Sequence, residues 1–230
     1  PIGNYTVSVQ IGNPICGTVT WDTVITVSRP PELTLAAIPD SCETATVIPQ
    51  PSYELFGLPD ASSYIDSVRW TFVGACDPVS QTSTAFNPLP VKYCQPGTYT
   101  VCVTAYNRCG TATACQTFKI LDGPNLNISL DTTKICLGDM VQVINNSTGD
   151  QLEYTWSVNP AGPTFAPDNK APAPKITFGN TLDIKDYTIS VSVKNPVCAA
   201  LNWSGVVNLS RKPELTLAAI PDSCETATVI

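Results

Sequence analysis

Ten cysteines and not one histidine set the limits on what chemistry this chain can do. A serine or cysteine nucleophile needs a base beside it, most often an imidazole. None is available, and no motif marks a serine–lysine arrangement. A zinc site needs four close nitrogen or sulfur ligands, and the sequence has no Cys-x-x-Cys pair. The cysteines therefore read as disulfides made in an oxidising compartment. Among the acids, Asp150 with Glu153 and Asp183 with Asp186 come nearest to a calcium cluster, but neither pair has the spacing of a calcium loop. They read as solvated turn acids. The expectation is a non-enzymatic chain with no catalytic residue, no metal and no cofactor.

The elements that carry these cysteines are strands. Hydrophobic residues make up 43% of the 230, while charged residues make up only 13%, about half the usual globular share of roughly 25%. Twenty-one prolines with abundant Thr, Val and Ser suit short strands joined by marked turns. The net charge of −7, with twelve scattered Lys and Arg, excludes a nucleic-acid binder. It also argues against charge-driven adhesion to an anionic lipid surface. No run of 18 apolar residues exists to span a bilayer as a helix. The sequence starts at Pro1 without a signal peptide, from which we expect a segment lying inside a longer secreted polypeptide.

Internal repetition organises the whole chain. Residues 29–48 (RPPELTLAAIPDSCETATVI) and 211–230 (RKPELTLAAIPDSCETATVI) agree at 19 of 20 positions, 182 residues apart. Upstream, NYTVSVQIGNPICG at 4–17 lies over DYTISVSVKNPVCA at 186–199. A weaker repeat divides this period in two. Cys42, Cys136 and Cys224 are spaced 94 and 88 apart, and Cys16, Cys109 and Cys198 are spaced 93 and 89. Tyr5, Tyr99 and Tyr187 each open a Tyr-Thr-Val or Tyr-Thr-Ile run in the same frame, and Trp70 and Trp156 sit mid-strand. The expected domains are thus the tail of one unit (1–29), two complete units (30–121 and 122–211) and the head of a fourth (212–230). Further copies are expected beyond both ends.

Within a unit the apolar residues alternate, the period of a strand with one face in a core. Val68, Trp70 and Phe72 form one such face. Tyr99, Val101, Val103 and Ala105 form the next, and Phe118 and Ile120 a third. Asn107–Gly110 is the turn between the last two strands. The later unit repeats this with Trp156 and Val158, with Tyr187, Ile189, Val191 and Val193, and with Val207 and Leu209. The fold class is all-β, expected as tandem immunoglobulin-like sandwiches stacked end to end.

Gly97-Thr-Tyr-Thr-Val-x-Val-Thr-Ala-x-Asn107 and Trp70-Thr-Phe72 resemble the PKD domain, an immunoglobulin-like sandwich of 80–90 residues. Where that family carries Trp-Asp-Phe-Gly-Asp-Gly, this chain reads Trp70-Thr-Phe-Val-Gly74 and Trp156-Ser-Val-Asn-Pro160. Cysteine-rich PKD-like arrays with near-identical long repeats resemble the giant surface adhesins of gliding Bacteroidota. That resemblance implies export by the type IX secretion system. In that phylum O-glycans are placed on Asp-Ser/Thr-x motifs, so Thr23, Ser67 and Thr132 become candidate sites. Six Asn-x-Ser/Thr sequons, at Asn4, Asn127, Asn145, Asn146, Asn202 and Asn208, carry less weight in so Ser/Thr-rich a chain.

The repeat also prunes the disulfide pairings. The unit at 122–211 holds only Cys136 and Cys198, which pair by default, and their equivalents give Cys42–Cys109. Counting outward from the 107–110 turn sets Cys102 opposite Cys115. Cys76 and Cys94 remain and form the last pair. Cys16 and Cys224 are expected to bond to absent parts of their own domains, or to stay as free thiols at cut ends.

Pro30-Pro31 and Gly123-Pro124 mark short, stiff junctions. Together these features predict a structural repeat segment of a long extracellular fibre or cell-surface adhesin. Its partners would be neighbouring repeats, laterally associated copies and a polysaccharide or protein ligand. The alternative is a PKD-like binding module attached to a large secreted hydrolase.

Overall fold

A computed structural model describes residues 3–54, 64–77 and 80–218. Cys224 and the end of the 212–230 head lie outside them. Among the described residues the regular elements are all strands, and contacts divide the chain into two units.

The first unit takes Pro1–Gly123 together with Pro196–Ala199. Its strands are β1 (Gly3–Asn13), β2 (Gly17–Val27), β3 (Glu32–Leu35), β4 (Ser41–Cys42), β5 (Ala45–Val47), β6 (Pro51–Glu54), β7 (Ser67–Phe72), β8 (Thr82–Ser83), β9 (Val91–Tyr93), β10 (Gly97–Asn107) and β11 (Gly110–Leu121). One sheet runs β4-β11-β10-β7-β8. Among the described residues the facing layer is formed by two separate pairs, β3-β6 and β5-β9. The hairpin β1-β2 is a sheet by itself, and its contacts group it with this unit.

The second unit takes Pro124–Asn195 and Ala200–Ile230. It contains β12 (Ile128–Leu130), β13 (Lys134–Cys136), β14 (Met140–Asn145), β15 (Glu153–Asn159), β16 (Thr164–Ala166), β17 (Lys175–Thr177), β18 (Asp186–Lys194) and β19 (Leu201–Ser210). Two continuous four-stranded sheets, β12-β14-β17-β16 and β13-β19-β18-β15, face each other.

Alternation explains why these residues make these strands. On β7, Val68, Trp70 and Phe72 are buried while Ser67 and Arg69 face out. On β18, Tyr187, Ile189, Val191 and Val193 are buried against Trp156 of β15 and Val207 and Leu209 of β19. The two cores are separate clusters, one spanning Leu35–Ile120 and the other Ile128–Leu209. In each, a short early strand pairs in parallel with the end of the last strand: Leu121 lies opposite Cys42, and Ser210 opposite Cys136. The rest of each cysteine-bearing sheet is antiparallel.

Matching side-chain devices hold both sandwiches. Trp70 Nε1 donates to Ala85 O, and Trp156 Nε1 to Ala171 O, each at 2.9 Å. Tyr99 Oη donates to Gln95 O at 2.9 Å, and Tyr187 Oη to Asp183 O at 3.1 Å. A tyrosine reaching back to its own chain four residues upstream is the corner found at the start of this strand in immunoglobulin sandwiches. Gly74 follows β7 with φ +84°, and the Tyr99 ring lies where a Cβ would sit, 2.7 Å away. Only glycine meets both conditions.

Candidate functional site: the cysteines and the exposed motif residues

The described cysteines form three disulfides. Cys76–Cys94 has a Cα separation of 6.0 Å and Cys102–Cys115 one of 4.1 Å. Cys102 and Cys115 face each other across the β10-β11 ladder, in the register set by the Asn107–Gly110 turn. Thr100 with Thr117, and Thr104 with Thr113, share hydroxyl hydrogen bonds on the same outer face, at 3.0 and 2.9 Å. The Cys76–Cys94 bond joins the segment after β7 to the residue after β9, tying one layer of the sandwich to the other.

The third bond corrects the sequence expectation. Cys42 is joined to Cys198, with a Cα separation of 5.1 Å. Neither Cys42–Cys109 nor Cys136–Cys198 forms, and Cys16, Cys109 and Cys136 carry free thiols. The reason is strand length. Cys42 lies beside Leu121, the last residue of β11, whereas Cys109 sits in the turn that leads into its first, Gly110. At about 3.3 Å per residue the ends of this 12-residue strand are roughly 36 Å apart. A disulfide needs Cα atoms within about 7 Å. The same geometry separates Cys136, beside Ser210, from Cys198, which precedes Leu201 at the other end of β19. Pairing by elimination assumed that each repeat closes on itself. The parallel early strand, only two or three residues long, is what places its cysteine at the wrong end. It leaves little periodic signal in the sequence.

Around Cys198 the local contacts are specific. Its Sγ lies 3.8 Å from Leu121 O, and Gly123 N donates to Glu43 Oε1 at 2.7 Å. The free Cys109 thiol lies 3.0 Å from Ser28 Oγ. Its turn is held by Asn107 Nδ2 donating to Arg29 O at 2.6 Å and by the Arg108 guanidinium donating to Thr26 O at 3.1 Å.

The other candidates sit apart from one another. Ser67 is exposed at the start of β7. Thr23 is half-buried on β2. Thr132 is half-buried, its hydroxyl donating to Lys134 O and accepting from Lys134 N. The acids of the later repeat are engaged within it. Asp183 is paired with Lys185 at 2.9 Å, a hydrogen bond that lowers its pKa and raises that of the lysine. Glu153 lies 3.6 Å from Lys194, and Asp186 accepts from Asn208 Nδ2. Among the described residues no three ligating side chains come together as a metal cluster would require. A shallow groove of about 270 Å³ runs along residues Ala36–Ser41, Ala45–Ile48 and Gln50. Its one ionisable lining residue, Asp40, accepts from Lys119 N at 2.7 Å.

No family model matches the chain, and no curated protein matches it. Solved structures do. Extracellular domains 3–5 of Drosophila OTK align over 92% of this chain and 72% of that one, at 12% identity and a TM-score of 0.50. The I67–I69 fragment of titin aligns over 92% and 75%, at 15% identity and a TM-score of 0.47. Sidekick-1 immunoglobulin domains 1–4 align over 89% and 57%, at 13% and 0.47. At these identities the likeness concerns the fold alone: two immunoglobulin-like β-sandwiches in tandem.

Proposed function

We propose that this chain is a structural repeat segment of a long extracellular fibre or cell-surface adhesin. The observation that carries the reading is the near-identical stretch recurring 182 residues apart, in a chain whose repeats fold as separate sandwiches. Near-identity at that distance marks a unit copied in series. Three disulfides in a chain of low charge fit an oxidising, extracellular setting. The PKD-like motif residues and the long cysteine-bearing repeat support placing it among Bacteroidota adhesins exported by the type IX system. In such a protein Ser67, the most open of the three candidates, would be the first to carry an O-glycan, followed by Thr23 and Thr132. Adjacent repeats are its first partners, lateral copies and a surface polysaccharide or protein its further ones.

Immunogold labelling of intact cells with antibody raised against residues 30–211 tests the reading. Label along thin surface fibres, lost after brief proteinase treatment, is the expected result. Label found only in the medium, co-purifying with a polysaccharide- or protein-degrading activity, would favour the accessory-module alternative and end the fibre proposal.

A further inference from the structure

Cys42 and Cys198 belong to successive sequence repeats, yet they are bonded to each other. In the repeat frame Cys42 is an early-strand cysteine, with equivalents at Cys136 and Cys224. Cys198 is a turn cysteine, with equivalents at Cys16 and Cys109. Every thiol left free among the described residues, Cys16, Cys109 and Cys136, falls in one of these two classes. The cysteines outside the two classes, Cys76, Cys94, Cys102 and Cys115, are all bonded within their own repeat.

A second observation comes from the surroundings of Cys109. Cys198 Sγ sits against Leu121, the residue paired with Cys42. The frame that places Cys16 over Cys109, 93 residues on, places Ser28 over Leu121. It is against Ser28 that the Cys109 thiol lies, at 3.0 Å. Ser210, the other equivalent of Ser28, is paired with Cys136. So Cys109 already stands at the position that Cys198 takes one repeat later. By the same frame, the partner expected beside Ser28 is an early strand bearing a cysteine, as β4 and β13 do.

We propose that the Cys42–Cys198 bond is one member of a series of covalent staples, each joining the early-strand cysteine of one repeat to the turn cysteine of the next. Cys16 and Cys109 take early-strand cysteines of preceding copies. Cys136 and Cys224 take turn cysteines of following copies. The partner is a further copy of this ninety-residue repeat in the same chain. In each bond the two S–H bonds break and one S–S bond forms. Two electrons and two protons pass to an acceptor disulfide, oxidised glutathione or the active-site disulfide of a thiol oxidoreductase, which is reduced to two thiols. The staple does not depend on whether the array is a surface fibre.

The test is a chain extended by one full period: residues 1–230 followed by a second run of 49–230, oxidised with glutathione and mapped without reduction. The extended chain carries Cys136 twice, and only the first copy is followed by the turn cysteine of a next repeat; about half of the Cys136 peptide, freely alkylated in the 230-residue chain, is therefore expected to become protected and to be recovered linked to a Cys109 peptide. Cys109→Ser in the first copy leaves that link in place, and Cys109→Ser in the second copy abolishes it. Cys136 linked to Cys198, or wholly alkylated in the extended chain, overturns the proposal. The 230-residue chain supplies a check of its own: Cys42 is recovered with Cys198 while Cys109 and Cys136 react with iodoacetamide. A Cys42–Cys109 link there overturns it equally.

Discussion

The two sandwiches share a sheet plan but close it differently. Both bury a mid-strand tryptophan whose indole donates to an alanine carbonyl fifteen residues on, and both anchor a corner tyrosine. In the second unit the opposing layer is one continuous ladder, β12-β14-β17-β16. In the first, that layer is two short pairs among the described residues, and the disulfide Cys76–Cys94 ties one of them to the main sheet. The repeat at 122–211 has no disulfide of its own, since its two cysteines are of the early-strand and turn classes. The lesson is one of substitution: a covalent bond stands in the repeat whose described opposing layer is two pairs, and is absent where the layer runs through.

If the cores are independent, the sharpest break comes from their centres. Trp156→Ala should lower the stability of the second unit by about 3–5 kcal/mol and leave the first untouched, with Trp70→Ala doing the reverse. Calorimetry should resolve two transitions and move one at a time; joint movement would contradict two separate cores. Next in size is the pair Cys76→Ser and Cys94→Ser together. Opening a loop of 18 residues should cost the first unit about 3 kcal/mol, with the denaturant midpoint of the second unchanged. An unaltered first unit would mean that its split layer needs no covalent support.

Hydroxyl groups give a finer comparison. Tyr187→Phe and Tyr99→Phe each remove a made hydrogen bond and should cost about 1 kcal/mol in their own units. Tyr93→Phe should cost nothing or stabilise slightly, because the buried Tyr93 hydroxyl has no partner. Burial and the neighbouring Tyr99 push its pKa up to about 12, so ultraviolet titration should find it ionising late. The smallest effect belongs to the second unit alone, where Lys212 pairs with Asp139 at 3.0 Å; the frame puts Ala45 at the equivalent place in the first. The lysine hydrogen bond holds the Asp139 pKa below its ordinary 3.8. Its contribution is present above 3.8 and lost as pH falls through the depressed value. The lysine, raised above 10.5 by the same bond, gives up its share as pH rises past that point. Lys212→Ala should therefore lower the melting temperature slightly at neutral pH and make no difference in strong acid. A difference persisting in acid would point to packing by the lysine stem.

Much of this was legible because alternation and turn position are local. The runs around Trp70 and Tyr187 announce which side chains face inward, and the 107–110 turn fixes the register that sets Cys102 against Cys115. What the sequence hides is context. Glu32–Leu35 forms a strand with Leu35 6% exposed, yet the identical residues at 214–217 form none, and Leu215 and Leu217 are 92% and 83% exposed. The first copy has β6 to pair with, and the second has no counterpart of β6 among these 230 residues. The hairpin makes the same point. Val9 is 48% exposed where its equivalent Val191 is 2%, since only Val191 has a second layer over it. The partner of Cys42 was hidden for a related reason: repeats reveal which positions correspond, not which end of a strand each occupies.

The Cys42–Cys198 bond also sets how far the chain can lengthen under load. Drawn apart from its ends, the polypeptide would transmit tension through the sulfur bridge and bypass the intervening segment, 156 residues in separation. That segment would add on the order of 500 Å of slack if pulled straight. While the bridge stays oxidised this slack is withheld, and only after its reduction could unfolding of the enclosed cores under load release it.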